Sequence, residues 1–283
     1  MTNTIDLHIH TTASDGTDSP RDLLWNIQKA GVNTFAITDH DTIRGALAMK
    51  KIVPPGLRFI QGIEFSCRTE GGHKCHILGL NYDENNRDFQ DALRTGDEIR
   101  HQKFYRRIEL LRSDFGITFT DDEIASLLNI PSVGKPHLAN LIVAKGLAAD
   151  RQDAISRYID KCRTGTGRIS AEQAVHAILS SGGLPVWAHP LGGEGEQELT
   201  ESDFRVILNE LMSYGLKGLE CWYSKYKSFR CEWLTKQAER RGLFISGGSD
   251  YHGKNKTIPL GRLNADNKTV DYTRLTILRQ MGA

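Results

Sequence analysis

The chain has 283 residues, of which 39% are hydrophobic and 25% are charged. These fractions are typical of globular proteins and exclude a fibrous or largely disordered chain. The length allows one large α/β domain, or one domain carrying an inserted smaller one. Lys and Arg number 36 against 35 Asp and Glu, so net charge provides no long-range attraction to nucleic acid or to an anionic membrane. An anionic substrate must therefore be bound by a local site.

The N-terminal segment and the cysteines bear on cellular location. The opening residues, MTNTIDLHIH, lack a basic stretch followed by an apolar one, and no apolar run reaches about 18 residues. The five cysteines form an odd set without C-x-x-C spacing, which argues against a disulfide framework and against a thiolate zinc site. We therefore expect a cytoplasmic protein with reduced cysteines and no membrane partner.

Seven short apolar runs predict β-strands, because each is rich in β-branched or aromatic residues. They span residues 5–9, 34–38, 58–65, 75–80, 184–188, 218–222 and 243–246. Most are followed by amphipathic stretches with helix-start signals, such as Ser19-Pro20 and the capping box that begins at Ser170. Alternating strands and helices predict parallel strands with right-handed crossovers, and seven such units indicate a closed or nearly closed barrel.

The strand rhythm stops between residues 81 and 168. Helical patterns occupy this interval at about 88–113, 121–129, 137–145 and 151–162. We therefore predict a helical insertion domain at 84–168, placed after the fourth strand. The flanking segments, 1–83 and 169–283, would together form the barrel.

Imidazole and carboxylate side chains recur at the predicted strand ends. They are His8 and His10 on the first strand, Asp39 and His40 on the second, Glu64 on the third, His76 in the fourth, His189 on the fifth, and Asp250 and His252 after the seventh. In a βα barrel the loops at this face form the active site. The H-x-H spacing also places both imidazoles on one side of a strand. Buried groups of this kind are costly without partners, so their convergence predicts bound metal. Asp15, in Ser14-Asp15-Gly16, fits a ligand or a turn aspartate equally well.

Seven segments together resemble the PHP (polymerase and histidinol phosphatase) superfamily. They are IDLHIHTTASDG, AITDHDT, GIEFS, HILGL, GKPHLAN, VWAHP and GGSDYHG, in order from about residue 5 to 261. Among its branches they are most similar to stand-alone phosphoesterases that act on nucleoside monophosphates, 3′,5′-bisphosphates and short 5′-phosphorylated oligonucleotides. The resemblance implies an α/β fold, a distorted (β/α)₇ barrel with a helical insertion domain after the fourth strand. It also implies a metal-dependent phosphoesterase acting on a small phosphorylated substrate.

The resemblance further implies three divalent metal ions. His8, His10, Glu64 and Asp250 would bind the first, Glu64, His76 and His189 the second, and Asp15, His40 and His252 the third. Nitrogen and oxygen ligands without thiolate suit manganese, iron or zinc. Such ions would lower the pKa of a bound water from 15.7 toward about 7, so that hydroxide attacks the phosphate monoester.

The segment Gly134-Lys135-Pro136-His137 departs from the family pattern, which usually reads Gly-Arg-Pro-His. We predict that Lys135 and His137 bind the phosphate and that His137 also serves as a candidate general acid. A lysine provides a point charge where arginine would provide a bidentate fork. The alternative for Lys135 is a solvated lysine beside a helix start.

Other residues receive weaker assignments. Asp39 is predicted to assist catalysis by orienting metal ligands. Packing is favoured over base stacking for Trp222, while Tyr223 and Tyr226 are left open. The basic residues near the end of the insertion are interpreted as a solvated face rather than a second phosphate site; they are Lys161, Arg163 and Arg168. Two alternative functions also stay open, a histidinol-phosphate phosphatase and a non-catalytic metal or nucleotide-binding module.

Overall fold

The computed structural model describes residues 4–165, 167–193, 198–268 and 270–282. Its strands are β1 Thr4–Ile9, β2 Val32–Ile37, β3 Arg58–Arg68, β4 Lys74–Leu80, β5 Ile169–Ser170, β6 Leu184–Trp187, β7 Gly218–Tyr223 and β8 Phe244–Gly248. Its helices are α1 Pro20–Lys29, α2 Arg44–Lys50, α3 Arg87–Phe115, α4 Asp121–Leu128, α5 Lys135–Ala144, α6 Arg151–Arg157, α7 Ala171–Ser180, α8 Glu201–Ser213 and α9 Ser228–Glu239. Within these ranges, no helix combines the length and the apolar character needed to cross a membrane.

The strands form one sheet in the order β1-β2-β3-β4-β6-β7-β8, with β5 paired to β3. The segment after β8 returns to β1, because His10 N donates to Tyr251 O at 2.9 Å and Asp250 N donates to His8 O at 2.8 Å. Asp6 strengthens this junction by accepting hydrogen bonds from Ser249 N and Gly261 N, both at 2.8 Å. The sheet is therefore nearly closed, and the predicted distorted (β/α)₇ barrel is confirmed.

The prediction that all strands run parallel is wrong for β4. This strand is antiparallel to both of its neighbours, β3 and β6, whereas β1, β2 and β3 pair in parallel, as do β6, β7 and β8. Only residues 69–73 separate β3 from β4. A parallel crossover needs a dozen or more residues, so this short link produces a hairpin. The reversal brings the first half of β4, with His76, to the edge where the parallel strands end.

Capping residues determine where several helices begin. Ser19 accepts a hydrogen bond from Asp22 N at 3.2 Å, and Pro20 occupies the first turn of α1. Ser170 accepts from Gln173 N at the start of α7, as its capping box predicted. Each cap satisfies backbone donors that the helix itself leaves unpaired. These caps set the strand-to-helix connections that the sequence pattern indicated.

The helices between β4 and β5 have an apolar cluster of their own. Phe104 and Leu111 of α3 pack there with Leu138 and Ile142 of α5. The first turns of α3 pack against the barrel instead, since Phe89 is buried in the barrel core. Helix α3 thus joins the two cores, while the division at residues 84 and 168 remains a prediction.

Gly79 of β4 lies where α7 packs closely on the sheet. A Cβ at this position would lie 2.8 Å from Ile178 Cγ1 and 3.1 Å from Ile63 Cγ2. We expect Gly79→Ala to lower the free energy of unfolding by about 1–3 kcal/mol, because overpacking forces neighbours off their rotamers. Urea unfolding followed by circular dichroism measures the change. Gly167→Ala is the control, since a Cβ there meets nothing within 4 Å. Equal effects of the two changes would contradict close packing at Gly79.

Candidate active site

Glu64 lies at the centre of the histidine cluster. Its Oε1 lies 3.0 Å from His76 Nδ1 and 3.1 Å from His189 Nε2. Its Oε2 lies 2.9 Å from His40 Nδ1, 3.3 Å from His10 Nε2 and 3.4 Å from His8 Nε2. Five imidazoles, contributed by β1, β2, β4 and β6 or the residues that follow them, therefore surround one buried carboxylate.

Two further carboxylates complete the cluster. Asp250 Oδ1 lies 3.4 Å from His10 Nε2 and 3.6 Å from His8 Nε2. Asp15 Oδ1 lies 3.1 Å from His252 Nε2. The rings of His10 and His252 stack with centroids 4.0 Å apart. The structure thus brings together all nine residues predicted as metal ligands.

Ligand atoms gather into three groups within the described part of the chain, each with its atoms within 4.8 Å of one another. The groups are His10, Asp15, His40 and His252; His8, His10 and Glu64; and His40, Glu64 and His76. Four buried atoms in these groups have no hydrogen-bond partner: His8 Nε2, His10 Nε2, His40 Nδ1 and Asp15 Oδ1. Orphaned buried donors and acceptors are costly, and divalent ions bound among these groups would satisfy them. The residues therefore fit metal ions, and their imidazole and carboxylate chemistry suits manganese, iron or zinc.

The carboxylates of the cluster are held in their ionised form. Burial alone would raise the pKa of Glu64, but the imidazoles of His40 and His8 outweigh it and hold that pKa well below its usual range. Burial is likewise outweighed at Asp250, where the ammonium of Lys256 and the ring of His252 hold the pKa well below its usual range. Both side chains are consequently able to bind a cation at neutral pH.

Glu220, on β7, fixes the orientation of two predicted ligands. Its Oε1 lies 2.9 Å from His8 Nδ1, and its Oε2 accepts a hydrogen bond from His189 N at 2.7 Å. His8 Nδ1 donates to this carboxylate, so Nε2 is the ring atom that faces Glu64 Oε2, at 3.4 Å. The sequence analysis missed Glu220, since GLECWY offers no signal beyond an ordinary strand.

Asp39 forms hydrogen bonds with the loop that follows β1. Its carboxylate accepts hydrogen bonds from Thr11 N, Thr11 Oγ1 and Ser14 Oγ, each at 2.7 Å. The same Ser14 Oγ lies 3.3 Å from His10 Nδ1. This placement favours the predicted orienting role for Asp39, acting through Ser14.

Lys256 is a cation of the site that the sequence analysis also missed. Its Nζ donates to Asp250 Oδ2 at 2.6 Å, and Tyr223 OH donates to the same oxygen at 2.9 Å. Lys256 lines a cavity of about 270 Å³ together with predicted ligands and with Arg151 and Gln152 of α6. Positive charge therefore lies beside the cluster, on the side that faces the inserted helices.

The two residues predicted to bind phosphate have other partners in this structure. Lys135 forms an ion pair with Asp160. His137 Nδ1 accepts a hydrogen bond from Gly134 N at 2.9 Å, and the ring also bonds the backbone of Ser14. His137 thus connects the start of α5 to the loop that contains Asp15. These contacts favour positioning for His137, and the catalytic roles of both residues stay predictions.

Trp222, Tyr223 and Tyr226 are buried. The guanidinium of Arg274 lies 5.3 Å from the centroid of the Trp222 ring, and Tyr226 OH accepts from Leu191 N at 2.8 Å. Trp222 and Tyr223 therefore pack within the barrel wall, and Tyr226 packs against Tyr223 and also lines a cavity with Leu191 and Phe229.

A family model described as PHP domain matches residues 6–165 of the chain. This match covers more than half of the chain and includes six of the nine predicted ligands. The chain belongs to the PHP domain family. It is a metal-dependent phosphoesterase, as the buried cluster of imidazoles and carboxylates indicates.

Three relatives of this PHP phosphoesterase cover most of its length. A 5′-3′ exoribonuclease of Haemophilus influenzae is 30% identical and aligns with 93% of this chain and 94% of its own. A phosphoribosyl 1,2-cyclic phosphate 1,2-diphosphodiesterase of Eggerthella lenta is 29% identical over 90% and 96%. A 3′,5′-nucleoside bisphosphate phosphatase of Chromobacterium violaceum is 28% identical over 88% and 87%. All three are named for the hydrolysis of phosphate esters.

A solved structure from Bifidobacterium adolescentis, described as a metal-dependent phosphoesterase, superposes on this chain with a TM-score of 0.82. It is 30% identical, and the alignment covers 99% of this chain and 97% of that one. The superposition spans both the barrel and the inserted helices of this chain.

Glu220→Gln tests the carboxylate behind His8. The amide provides one acceptor oxygen for two donors, so either His8 or His189 loses its support. We expect metal affinity to fall by about 10- to 100-fold, as is usual when such partners are removed. Elemental analysis after dialysis against graded chelator measures the loss. Glu239→Gln, an exposed change on α9, is the control, and equal metal retention in both variants would exclude the orienting role.

Proposed function

We propose that this PHP phosphoesterase hydrolyses a phosphate monoester of nucleotides, of the AMP or 3′,5′-bisphosphate type. Short 5′-phosphorylated oligonucleotides are proposed as further substrates. The observation that carries the proposal is Glu64 enclosed by five imidazoles beside a cavity of about 270 Å³ that Lys256 and Arg151 line. A cavity of this size accepts the phosphorylated end of a substrate and excludes a folded nucleic acid.

The nine residues would hold three divalent ions. His8, His10, Glu64 and Asp250 would hold one, Glu64, His76 and His189 a second, and Asp15, His40 and His252 the third. When bound, such ions supply an activated water and neutralise the phosphate oxygens. Three carboxylates offset only part of the charge of three such ions, so the cavity stays electropositive and attracts the substrate phosphate.

The protein's own side chains orient that phosphate. Lys256 keeps its ammonium in the cavity through Asp250, and Arg151 is held against Asn255. A guanidinium matches phosphate geometry bidentately, while an ammonium contributes a point charge. We propose that these two cations bind the phosphate from the side of the insertion. Lys135 joins them when its pair with Asp160 opens.

Carboxylates that contact the predicted metal ligands restrict the movement of those ligands. Glu220 and Asp39 determine the rotamers of His8 and of the loop that contains Ser14. His137 ties the same loop to α5. Catalytic geometry must be kept within fractions of an ångström, and these bonds provide that rigidity.

A substrate panel tests the proposed chemistry. Phosphate release is measured from AMP, adenosine 3′,5′-bisphosphate, a 5′-phosphorylated trinucleotide and histidinol phosphate. We expect the nucleotides to have the higher kcat/KM, and a preference for histidinol phosphate would contradict the nucleotide assignment.

His10→Ala should lose bound metal and turnover together while keeping the fold. The control is His176→Ala, which changes an exposed residue of α7.

Lys135→Ala tests the lysine that replaces the usual arginine. We expect KM for AMP to rise or kcat to fall by several-fold, because one cation near the phosphate is removed. Metal content should be unchanged. Asp160→Asn frees the ammonium and should shift KM the opposite way, so unchanged kinetics in both variants would remove Lys135 from the site.

A further inference from the structure

The two carboxylate oxygens of Asp250 have different surroundings. Oδ1 lies among the predicted metal ligands, 3.4 Å from His10 Nε2 and 3.6 Å from His8 Nε2. Oδ2 instead accepts hydrogen bonds from Tyr223 OH at 2.9 Å and from Lys256 Nζ at 2.6 Å. Because Asp250 is buried, these two donors take the place that water would have at a surface. One oxygen is therefore occupied by the protein itself, and the other faces the imidazoles.

The backbone of Asp250 does not select this orientation by itself. Its φ of 59° lies in the left-handed region, which aspartate tolerates better than most residues. Asp250 N donates to His8 O at 2.8 Å, which fixes the backbone beside β1. The last torsion of an aspartate side chain is nevertheless broad and roughly two-fold. The partners of the carboxylate must therefore determine which oxygen faces the imidazoles.

A register shift in β7 brings Tyr223 to this position. The pairing of β7 with β8 shifts after Glu220, and Cys221 is the extra residue of the bulge. Residues three apart in a regular strand point to opposite faces of the sheet. An extra residue changes that alternation and re-aims the side chains that follow. Glu220 and Tyr223 consequently both reach predicted ligands, since the first contacts His8 and the second contacts Asp250.

The hydroxyl of Tyr223 is the rigid partner of the carboxylate. The side chain is fully buried, and its ring centroid lies 4.9 Å from that of Tyr226 and 5.6 Å from that of His189. A ring locked by packing holds its hydroxyl in one place. Lys256 has a flexible four-carbon stem and lines the cavity of about 270 Å³. Tyr223 is therefore the donor that can fix the orientation of Asp250.

We propose that Tyr223 is a positioning residue: its hydroxyl occupies Oδ2 of Asp250, so that Oδ1 alone is offered to a metal ion. His8 and His10 are the proposed co-ligands of that ion. This inference rests on the proposed metal ligands and is independent of which phosphate ester the protein hydrolyses. Because Tyr223 is fully buried, its effect on the reaction passes through the bound metal.

Tyr223→Phe removes the hydroxyl and keeps the ring. Mn²⁺ is titrated into metal-free protein, and free Mn²⁺ is measured from its electron paramagnetic resonance signal. We expect the affinity for at least one Mn²⁺ to fall by roughly tenfold or more, as is usual when a hydrogen-bond partner of a ligand is lost. Tyr214→Phe is the matched control and should bind Mn²⁺ as the wild type does, because Tyr214 OH donates to Glu210 Oε1 at 2.8 Å, outside the cluster. Circular dichroism and thermal midpoints confirm that both variants are folded.

The structure of the Mn²⁺-loaded wild type provides the second measurement. It should show Asp250 bonded to an ion through Oδ1, with Tyr223 OH still on Oδ2. An ion bonded to Oδ2, or equal Mn²⁺ affinity in Tyr223→Phe and Tyr214→Phe, would overturn the inference and leave the proposed ligands standing. A wild type that binds no Mn²⁺ would overturn both. Neither measurement needs a substrate, so both decide the inference even if the protein hydrolyses no nucleotide.

Discussion

The site depends on the crowding of charged and polar groups around Glu64. Five imidazoles lie within 3.4 Å of its two oxygens, and the carboxylate itself is buried. Ionised groups in such a region are stable only when opposite charge lies close by. Divalent ions meet that requirement and are also the reagents of phosphate hydrolysis. The stability of the folded site and its chemistry thus have a common physical origin.

The barrel provides this crowding through its strand ends. Parallel strands deliver His10, His40 and Asp250 to one edge, and the reversed β4 delivers His76 to the same edge. Buried acceptors then hold the ligands from behind, as Glu220 does for His8. The inserted helices close the open side and contribute cations that face the cluster. We therefore propose that the barrel binds the metal ions and that the surface between the barrel and the inserted helices recognises the substrate.

Much of this arrangement was predictable from the sequence. Period-two alternation and the position of each residue at a strand end predicted that the ligands would converge. The repeated strand-helix pattern predicted the barrel, its interruption between residues 81 and 168 predicted the insertion, and the resemblance added the phosphoesterase chemistry. The direction of β4 was missed, because the regular alternation of strands and helices implied a crossover where only five residues connect β3 to β4.

Other features depend on tertiary contacts. In the sequence, Glu220 looks like an ordinary strand residue. Its contact with His8 exists only because the fold brings β7 beside the end of β1. Arg168 was interpreted as part of a solvated face, and only the folded chain places it in a cavity with the basic residues of α3. The anomalous diffraction of crystals grown with Mn²⁺ tests the central claim most directly. We expect anomalous peaks that contact Glu64 together with imidazoles of the cluster. Ordered water alone at these positions, or manganese bound elsewhere on the molecule, would contradict it.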